Sequence, residues 1–528
     1  MRPILLTLFL ILTFCANTMA QTWEHIYTNG AFIRTAYSIC GYYDKGYIIG
    51  INERNANNTG NRIVFKKLDE DGKTIWTKTI GNLPDGVVCA DLCLFNNKMY
   101  AIGASSKYDL AGASFIAKYN HCMEREFTKE YGLADYDYGH SIDTTYDGNL
   151  IASFQYLGLD TGFLAERNTL IKLTPQGDTI WSCNFTPTYS NSPDIDNFIL
   201  TSDSGFLAVL TGYIANPGQT NPVIVRTIAV KVDKNGTIEW SKAYGVNDYY
   251  YTFADDVVQT KDNGYLFLSR WANLWNGFRE WIYLIKTDSL GNEEWRRFIS
   301  DTNDLSEYPK SIYALNDSEY VIIASVSSST GGWQTIDNTR IKIYKTDTLG
   351  NIKDSNTVGN DWQLAISTIM NKGKDILVCG INKSNPNKPQ AFALKIRTSD
   401  LQLDTMKNQN LTYDYLCPTI ITSGFIPYDT AATNIGFAEE EQTSVQFLLY
   451  PNPASAVLYI TPGEPISNAT QLTANVYNAY GQIIETVLLK PHQTQISINV
   501  INYTAGAYIL TVTQQGNVVY KNRFMVVK

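Results

Sequence analysis

The feature that most constrains the fold of this chain is a short turn motif that recurs seven times. In its clear copies an Asp begins a tight turn that leads into an apolar run: Asp44–Tyr47, Asp147–Leu150, Asp203–Phe206 and Asp262–Tyr265. Weaker copies are Asn96–Met99, Asn316–Tyr320 and Lys372–Ile376. The copies lie about 50 to 60 residues apart, close to the repeat lengths of ring-shaped β-proteins. Such a repeat largely decides the fold class, because each unit can bury its apolar face only against its neighbours.

A second motif follows later in each unit and places a Trp four residues after a Gly. Its copies are Asp69–Gly72 with Trp76, Thr174–Gly177 with Trp181, Asp233–Gly236 with Trp240, and Asp288–Gly291 with Trp295. A further copy keeps Asp347–Gly350 but has Asp354 at the Trp position, and degenerate copies lie around Asn120 and Asp400. A Trp at a fixed place in a repeat is typical of packing, so we expect these four to be largely buried between neighbouring sheets.

The two motifs together predict four strands per repeat. Asp/Asn and Gly supply the positive φ that tight hairpins require, and the runs between the turns partly alternate apolar and polar residues. Two hairpins per unit make a four-stranded sheet. The chain is therefore expected to form an all-β protein whose repeat domain, residues 21–405, is a β-propeller of about seven blades.

The start of the repeat domain contains one strand that belongs to no complete unit. Trp23–Tyr27 is similar to Trp240–Tyr244 and Phe127–Tyr131, which follow the second motif in their own units. The last unit lacks this aromatic pair near Leu403. We therefore predict that Trp23–Tyr27 pairs with the last blade and closes the ring, since an open ring would expose two sheet edges.

Charge and composition exclude one class of function. The net charge is −9 and only 18% of the residues are charged, with no cluster of Lys and Arg. Nucleic-acid surfaces are basic, so no nucleic-acid partner is expected. The abundance of Tyr (35) and Phe (21) favours strands over helices.

Residues 1–20 have the pattern of a secretory signal peptide. Arg2 gives a positive start, Ile4–Phe14 is mostly apolar, and Thr18–Ala20 offers small residues before a cleavage site at Gln21. The apolar run is too short to span a bilayer. Cys15 follows Phe14 and not a small residue, which argues against a lipoprotein.

Metal and cofactor sites have little support in the sequence. Seven cysteines remain after Cys15, an odd and scattered set that does not suggest a disulfide framework. Cys89 and Cys93 have no second Cys/His pair near them in the sequence, and only four histidines exist. We expect the cysteines to be buried apolar residues with one or two bridges at most, and we assign no metal and no cofactor.

The chain changes character after the repeats. Residues 406–444, with Pro418, Pro427 and the acidic run Glu439–Glu441, are expected to form a connector. Residues 445–528 have the size and strand spacing of a small Ig-like β-sandwich. Alternating apolar residues predict a separate core, in the list Val457, Tyr459, Val476, Tyr477, Ile496, Ile498, Tyr508, Leu510 and Val512.

Four motifs in this last segment occur in a recognisable order: Leu449–Ala454, Val476–Gln482, Ala505–Leu510 and Lys521–Lys528. Together they closely resemble the type A C-terminal sorting domain of the Bacteroidota type IX secretion system. The resemblance implies passage to the periplasm, translocation across the outer membrane by the type IX machinery, and processing by a sortase-like peptidase. It assigns the sorting signal to Pro451, Asn452, Pro453, Gly481, Gly506, Tyr508, Lys521, Phe524, Val526 and Lys528.

The sequence nominates no catalytic residue. No nucleophile elbow and no HExxH motif occurs, and any two facing carboxylates among 51 Asp and Glu residues would suit a glycosidase. We therefore predict a secreted or surface-exposed, non-catalytic propeller that binds a glycan or a surface protein. Four tryptophans, Trp271, Trp275, Trp281 and Trp333, are candidates for sugar stacking or for loop packing. The alternative is an extracellular carbohydrate-active hydrolase or lyase with its site at the propeller channel.

Overall fold

The computed structural model describes residues 21–527 except 29, 43, 56–59, 82–85, 107–111, 122, 132–136, 161–162, 186–193, 216–222, 246–249, 274–278, 300–305, 328–337, 372–373, 408–446, 452–453, 463–471, 479–482, 491–492, 494 and 515–516. The described residues form strands and turns, with no helix among them. None of them therefore belongs to a helix long and apolar enough to cross a membrane. The chain divides into two compact units, Met1–Gly436 and Phe437–Lys528.

Seven four-stranded antiparallel sheets form the first unit. The chain enters through β1 (Glu24–Tyr27) and then builds one sheet after another, which we call blades 1 to 7. Blades 1 to 3 are β2 (Phe32–Gly41), β3 (Tyr47–Asn55), β4 (Asn61–Leu68), β5 (Thr74–Ile80); β6 (Val87–Phe95), β7 (Lys98–Ser106), β8 (Gly112–Tyr119), β9 (Arg125–Tyr131); and β10 (Tyr138–Thr144), β11 (Leu150–Asp160), β12 (Phe163–Leu173), β13 (Thr179–Phe185).

The remaining blades repeat the same four-stranded meander. Blades 4 to 7 are β14 (Asp194–Leu200), β15 (Phe206–Ala215), β16 (Val223–Val232), β17 (Ile238–Tyr244); β18 (Tyr250–Gln259), β19 (Tyr265–Asn273), β20 (Arg279–Thr287), β21 (Glu293–Phe298); β22 (Ser306–Asn316), β23 (Glu319–Ser327), β24 (Arg340–Asp347), β25 (Ile352–Val358); and β26 (Gln363–Asn371), β27 (Asp375–Asn382), β28 (Gln390–Arg397) with β1. The first strand of each blade contacts the first strand of the next, and β26 contacts β2. The ring of seven blades predicted from the repeats is confirmed.

The ring closes through the N-terminal strand, as predicted. β1 pairs antiparallel with β28, from Glu24 opposite Leu394 to Tyr27 opposite Ala391. The backbone N–H of Trp23 donates to Asp404 O at 2.8 Å, and the Lys395 N–H donates to Trp23 O at 3.1 Å. The two ends of the propeller thus share hydrogen bonds, and neither is left as an open sheet edge.

The tryptophans of the second motif pack on the next blade, but they are less buried than predicted. Trp181 and Trp240 lie against the Gly of the following blade's turn: a Cβ at Gly236 would be 2.8 Å from the Trp181 ring, and one at Gly291 would be 2.9 Å from Trp240. Trp76, Trp181, Trp240 and Trp295 all remain partly exposed, because they cover turns at the rim of the ring. Among the tryptophans that the structure describes, only Trp23, in the closing segment, is fully buried, with 0% exposure.

The glycines of these turns also accept hydrogen bonds across the blade interface. The hydroxyls of Tyr131 and Tyr244 donate to Gly177 O at 2.7 Å and Gly291 O at 2.8 Å. Tyr27 makes the equivalent bond to Gly72 O at 3.2 Å. These glycines have φ between +74° and +80°, the left-handed region in which a side chain is strained. The motif therefore specifies how one blade fits the next as well as a hairpin within a blade.

The degenerate copies of the second motif in blades 6 and 7 compensate for each other. Blade 6 has Asp354 where blades 1, 3, 4 and 5 have Trp, and blade 7 has Leu401 in the turn position of the Gly. Leu401 has φ +56° and is fully buried, so its side chain occupies space that a Trp would need. Asn356 Nδ2 donates to Leu401 O at 2.9 Å and replaces the Tyr hydroxyl.

The third strand of every blade carries a Lys that the repeat motifs did not include. Each blade has a Lys two residues before its second turn: Lys67, Lys118, Lys172, Lys231, Lys286, Lys345 and Lys395. In five blades this Lys forms an ion pair with the acidic residue of the first motif, as Lys231 does with Asp203 at 2.8 Å. The Asp of the first motif is therefore an ion-pair partner as well as a turn former.

The second unit is a two-sheet sandwich with its own core. Its strands are β29 (Phe447–Tyr450), β30 (Val457–Pro462), β31 (Leu472–Tyr477), β32 (Ile483–Leu489), β33 (Ile496–Asn499), β34 (Gly506–Gln514) and β35 (Asn517–Val526). The sheets have the orders β29-β30-β33 and β32-β31-β34-β35.

The predicted core of this unit is confirmed for six of the nine named residues. Val476, Ile496, Ile498, Tyr508, Leu510 and Val512 are buried together. The prediction was wrong for Val457, Tyr459 and Tyr477. In β30 the inward face carries Leu458 and Ile460, so the alternation was assigned one residue out of register.

Replacing the closing Trp should weaken the propeller more than replacing a rim Trp. Trp23→Ala removes a fully buried side chain, and we expect it to cost about 3–5 kcal/mol of the free energy of unfolding. Trp295→Ala, the matched control, should cost about 2 kcal/mol because that ring already contacts water. Chemical denaturation followed by tryptophan fluorescence measures both. Equal costs would contradict a special role for the closing strand.

The repeated Lys–Asp pairs predict a loss of stability in acid. Partial burial raises the pKa of Asp203, but hydrogen bonds from Lys231, Thr201 and Gly205 outweigh it and lower the pKa to about 2; the pKa values of Asp147 and Asp262 are likewise lowered to about 2. Because the folded pKa lies below the ordinary value of 3.8, this stabilisation is complete above about pH 4 and is lost as the pH falls towards 2.

The urea midpoint should therefore drop between about pH 5 and about pH 2.5. The triple variant Asp147→Asn, Asp203→Asn, Asp262→Asn keeps the side-chain oxygens that form the turns but removes the charges of the ion pairs. It should therefore be less stable at the higher pH and should lose less stability on acidification. If the variant and the parent chain lose the same amount, the ion pairs do not account for the acid sensitivity.

Candidate functional site

All seven first strands carry a β-bulge at the same place. The register of each strand skips one residue: Tyr37, Ala90, His140, Asp196, Asp255, Lys310 and Ile366. All seven of these residues line one cavity of about 620 Å³ at the centre of the ring, which we call the channel cavity. A bulge adds a residue and redirects its side chain, and bulges are common beside functional sites.

The residue after each bulge is always small and polar. The seven are Ser38, Asp91, Ser141, Asn197, Asp256, Ser311 and Ser367. Asp91 joins three blades: it accepts hydrogen bonds from Ser38 Oγ at 2.9 Å and from Ser141 Oγ at 2.7 Å, and from the Ile142 N–H at 3.1 Å. This position is therefore structural, since its side chains connect the blades around the channel.

Asp256 plays the same part on the other side of the ring. It accepts from Asn197 Nδ2 at 2.7 Å, from the Val257 N–H at 2.8 Å and from the Ile312 N–H at 2.9 Å. Burial raises the pKa of Asp256 to about 6, although these hydrogen bonds oppose the shift. Burial also raises the pKa of Asp91, and the hydrogen bonds that Asp91 accepts again oppose the shift.

The bulge residues, in contrast, differ in chemistry from blade to blade. Blades 4 and 5 present two carboxylates. Asp196 accepts from Thr211 Oγ1 at 2.7 Å, and Asp255 lies 3.1 Å from Arg270 Nε. Arg270 also contacts Glu280 at 3.4 Å. Burial raises the pKa of Asp255 well above its usual range, while Arg270 opposes the rise and Asp196 adds to it.

The other bulge residues are cationic, aromatic or apolar. Lys310 is half-buried, and its ammonium charge acts on the carboxyl groups of Asp255 and Asp256 in the neighbouring blade. His140 Nε2 lies 3.1 Å from Gln155 Oε1. Tyr37 is 42% exposed, and Ile366 completes the wall. The channel cavity thus combines carboxylates, an ammonium group, an imidazole and an aromatic ring.

A second space, of about 910 Å³, opens next to the channel cavity, and we call it the mouth groove. Tyr37 and Ile366 line both spaces, so the two adjoin each other. Trp362 lies in the groove wall with φ +73°, a conformation that bulky side chains rarely adopt. Arg54 and Lys383 are the charged residues that line the groove in the described part of the chain.

The tryptophans named from the sequence do not form this site. Trp271 and Trp281 are cross-strand partners in β19 and β20, with ring centroids 5.1 Å apart. Trp271 also packs on Phe298 at 5.2 Å, and both tryptophans are half-buried. Neither lines the channel cavity or the mouth groove, so packing explains them. Trp275 and Trp333 lie outside the described residues.

The described residues do not form a metal site. No group of three or more His, Cys, Asp or Glu side chains in this part of the chain is arranged to hold a metal ion. Cys40, Cys89, Cys93, Cys183 and Cys379 are free and buried, while Cys122 and Cys417 lie outside the described ranges. Burial raises the pKa of the Cys40 thiol to about 12, so it is protonated and unreactive at neutral pH.

The sorting-signal residues are divided between the core and the surface of the sandwich. Tyr508, Phe524 and Val526 are buried, and the Tyr508 and Phe524 rings stack at 5.6 Å. Pro451 is exposed, Gly506 begins β34, and the backbone of Lys521 lies in β35. Asn452, Pro453, Gly481 and Lys528 are not among the described residues.

The N-terminal motif of this unit lies beside its last strand. The Ala454 N–H donates to Met525 O at 2.8 Å, and the Val527 N–H donates to Ala454 O at 2.9 Å. Two of the four motifs are therefore joined by backbone hydrogen bonds.

A signal for the bulge residues was present in the sequence. In the four clear copies of the first motif, the bulge residue stands seven positions before the Asp, as His140 does before Asp147. The polar residue that follows it marks the position. The residue types at the bulge vary, so a search for repeated residues misses them.

Comparison with known proteins supports the C-terminal assignment. Residues 448–527 match the family model described as "Secretion system C-terminal sorting domain". The comparison with curated proteins gave no match.

Solved structures resemble the chain only remotely. A protein of unknown function from Dyadobacter fermentans is 11% identical, covering 70% of this chain and 96% of its own, with a TM-score of 0.43. A PL25 ulvan lyase is 8% identical over 70% and 88%, with a TM-score of 0.40. An α-L-arabinanase from Penicillium chrysogenum is 8% identical over 71% and 97%, with a TM-score of 0.37.

The strand pairing gives the fold of the chain, and the family match gives its export route. The first unit is an all-β ring of seven four-stranded sheets, and the second is a small sandwich. Residues 448–527 belong to the secretion system C-terminal sorting domains, and the chain is exported by the type IX system to the cell surface or the extracellular space.

Proposed function

We propose that the exported propeller is a non-catalytic binding module whose ligand, a glycan, occupies the channel cavity and the mouth groove. One observation carries the proposal. Positions with a structural role hold the same or similar residues in every blade. The third-strand Lys and the small polar residue after the bulge are two such positions. The bulge positions share one backbone geometry and one cavity, yet the seven positions hold six different residue types.

This difference within one chain favours recognition over packing. A core position in a repeat needs the same volume in every unit, whereas a binding site needs chemically different groups around one ligand. Tyr37 offers a ring face, and Asp196, His140 and Lys310 offer hydrogen-bonding groups. Such a mixture suits a polyhydroxylated ligand, whose apolar ring faces stack and whose hydroxyl groups both donate and accept.

The alternative is that the propeller cleaves the bound glycan as a hydrolase or a lyase. One pair of residues favours this alternative. Burial raises the pKa of Asp255, with Asp196 adding to the rise, and a general acid has this property. Against this, Asp255 is already paired with Arg270 at 3.1 Å, and Asp196 with Thr211 at 2.7 Å. Both carboxylates are occupied by the protein, which suits positioning more than proton transfer.

Binding at the channel should depend on Tyr37. A glycan array probed with the chain from Gln21 identifies ligands, and titration calorimetry then measures their affinity. Tyr37→Ala should weaken binding about tenfold, the effect of losing one stacking ring. Tyr213→Ala is the matched control, because Tyr213 is 37% exposed and lines neither the channel cavity nor the mouth groove.

Equal affinities for the two variants would contradict a channel site. Release of new reducing ends or unsaturated sugars from the ligand, lost in Asp196→Asn and Asp255→Asn, would establish the enzymatic alternative instead.

The export assignment makes a separate prediction about residues 445–528. The sandwich has its own core, so its removal should leave a folded propeller, retained in the periplasm of a host with a type IX system. The same residues, fused to a reporter with a signal peptide, should carry the reporter out of the cell. Cell fractionation measures both. Normal surface levels of the truncated chain would show that another segment directs export.

We extend this proposal to the partners of the sandwich. The final strand, Lys521–Lys528, is proposed to be read by the type IX machinery, and a sortase-like peptidase is proposed to cleave before the sandwich. Since Phe524 and Val526 are buried, recognition of the folded domain must use the outward residues of β35. Met525 at 37% exposure is such a residue.

A further inference from the structure

We infer that the glycan recognised by this propeller is an anionic polysaccharide, whose acidic groups bind Arg54 and Lys383 in the mouth groove while a sugar ring stacks on Trp362. This inference rests on the proposed function and adds the chemical class of its ligand. It is argued from charge, from one strained residue and from the position of the groove beside the channel cavity.

The charge of the groove is opposite to that of the chain. The chain has a net charge of −9, yet the described residues that line the mouth groove include Arg54 and Lys383 and no Asp or Glu. No ion pair or side-chain hydrogen bond of Lys383 is found among the described residues. A low-dielectric groove of one sign concentrates ligands of the other sign.

Two carboxylates that neighbour groove residues in the sequence are already paired. Asp361, which precedes Trp362, forms an ion pair with Arg340. Glu53 lies between Asn52 and Arg54 in β3, so its side chain points to the opposite face of the blade. It is fully buried and forms ion pairs with Arg34, at 2.5 Å, and with Arg62. These two arginines outnumber the one carboxylate, so this cluster adds no negative charge at the mouth.

Trp362 is held in the groove at a conformational cost. Its φ of +73° is one that Gly or Asn adopts readily and a bulky residue does not. The Lys383 N–H donates to Trp362 O at 2.8 Å and fixes this backbone beside the Lys383 side chain. Trp362 is half-buried and belongs to none of the apolar clusters at the blade interfaces in the described chain. A strained residue without a packing role indicates a functional one.

The groove leads to a further cation. Tyr37 and Ile366 also line the adjoining channel cavity, where Lys310 supplies an ammonium group. A chain with an acidic group on successive sugars would therefore meet cations at the mouth and again at the centre. Asp255, in the blade next to Lys310, and Asp196 can accept hydrogen bonds from sugar hydroxyl groups.

Two matched pairs of polysaccharides test the inference. Polygalacturonate and its fully methyl-esterified form differ in carboxylate charge, and dextran sulfate and dextran differ in sulfate charge. Affinity electrophoresis and titration calorimetry with the chain from Gln21 should show binding of an anionic member of a pair and at least tenfold weaker binding of its neutral partner. Binding should weaken as salt is raised, because salt screens these contacts.

Variants then locate the contact. Lys383→Glu should reduce affinity more than tenfold and Lys383→Arg should retain it, whereas Lys261→Glu, a change at a 69% exposed side chain outside both spaces, should have no effect. Trp362→Gly should weaken binding about tenfold while the melting temperature stays the same or rises, because glycine relieves the positive φ. A variant that binds less yet is no less stable cannot be explained by misfolding.

The outcomes separate the two proposals. Equal binding of neutral and anionic partners, reduced by Tyr37→Ala, would overturn the charge inference and leave the glycan-binding function in place. Anionic binding that is unchanged in Lys383→Glu and Trp362→Gly would overturn the assignment to the mouth groove. Failure to bind any glycan, in these pairs or on the array, would overturn the proposed function itself.

Discussion

The structure of the propeller depends on the contact between one blade and the turn of the next. An aromatic residue of the outer strand lies on a Gly of the neighbouring turn, as Trp240 does on Gly291, and a Tyr hydroxyl binds that Gly's carbonyl oxygen. Each blade is thus oriented by the one before it, and the ring must close for the last contact to form. The closing segment supplies this contact, because Trp23 and the β1 residue His25 meet Gly72 of blade 1.

A rigid ring of this kind leaves its centre free for variation. Asp91 and Asp256 each connect three blades around the channel and hold the first strands in a constant geometry. On that frame the bulges present seven side chains whose chemistry need not obey the repeat. The same division of labour explains why catalytic or binding residues are so often found on loops and irregular positions of a rigid scaffold.

Much of the fold could be predicted from the sequence, because the fold repeats. The turn motifs indicated seven four-stranded units, and the unpaired strand Trp23–Tyr27 indicated how they close. Burial was harder to judge: Trp295 and its counterparts pack where predicted, but at a rim that water reaches. In the sandwich, a one-residue error in the alternation of β30 exchanged Val457 and Tyr459 for Leu458 and Ile460.

The candidate site could not be predicted by the same method. Repeat detection finds what is constant, whereas Tyr37, His140 and Lys310 share only a position relative to the turn. Trp362 could not be predicted either, because its φ of +73° is a property of the backbone that no sequence pattern indicates. The carboxyl-terminal unit was the reverse case, because its motifs are specific enough to be recognised as an export signal without any structure.

The central claim is that ligand recognition takes place at the channel, through residues that differ between otherwise similar blades. The most direct test is a crystal structure of the chain soaked with the best glycan ligand found on the array. The account predicts electron density for the sugar in contact with Tyr37 and with Trp362, extending towards Lys310. Density confined to the outer strands or to the rim tryptophans, with an unoccupied channel, would contradict it.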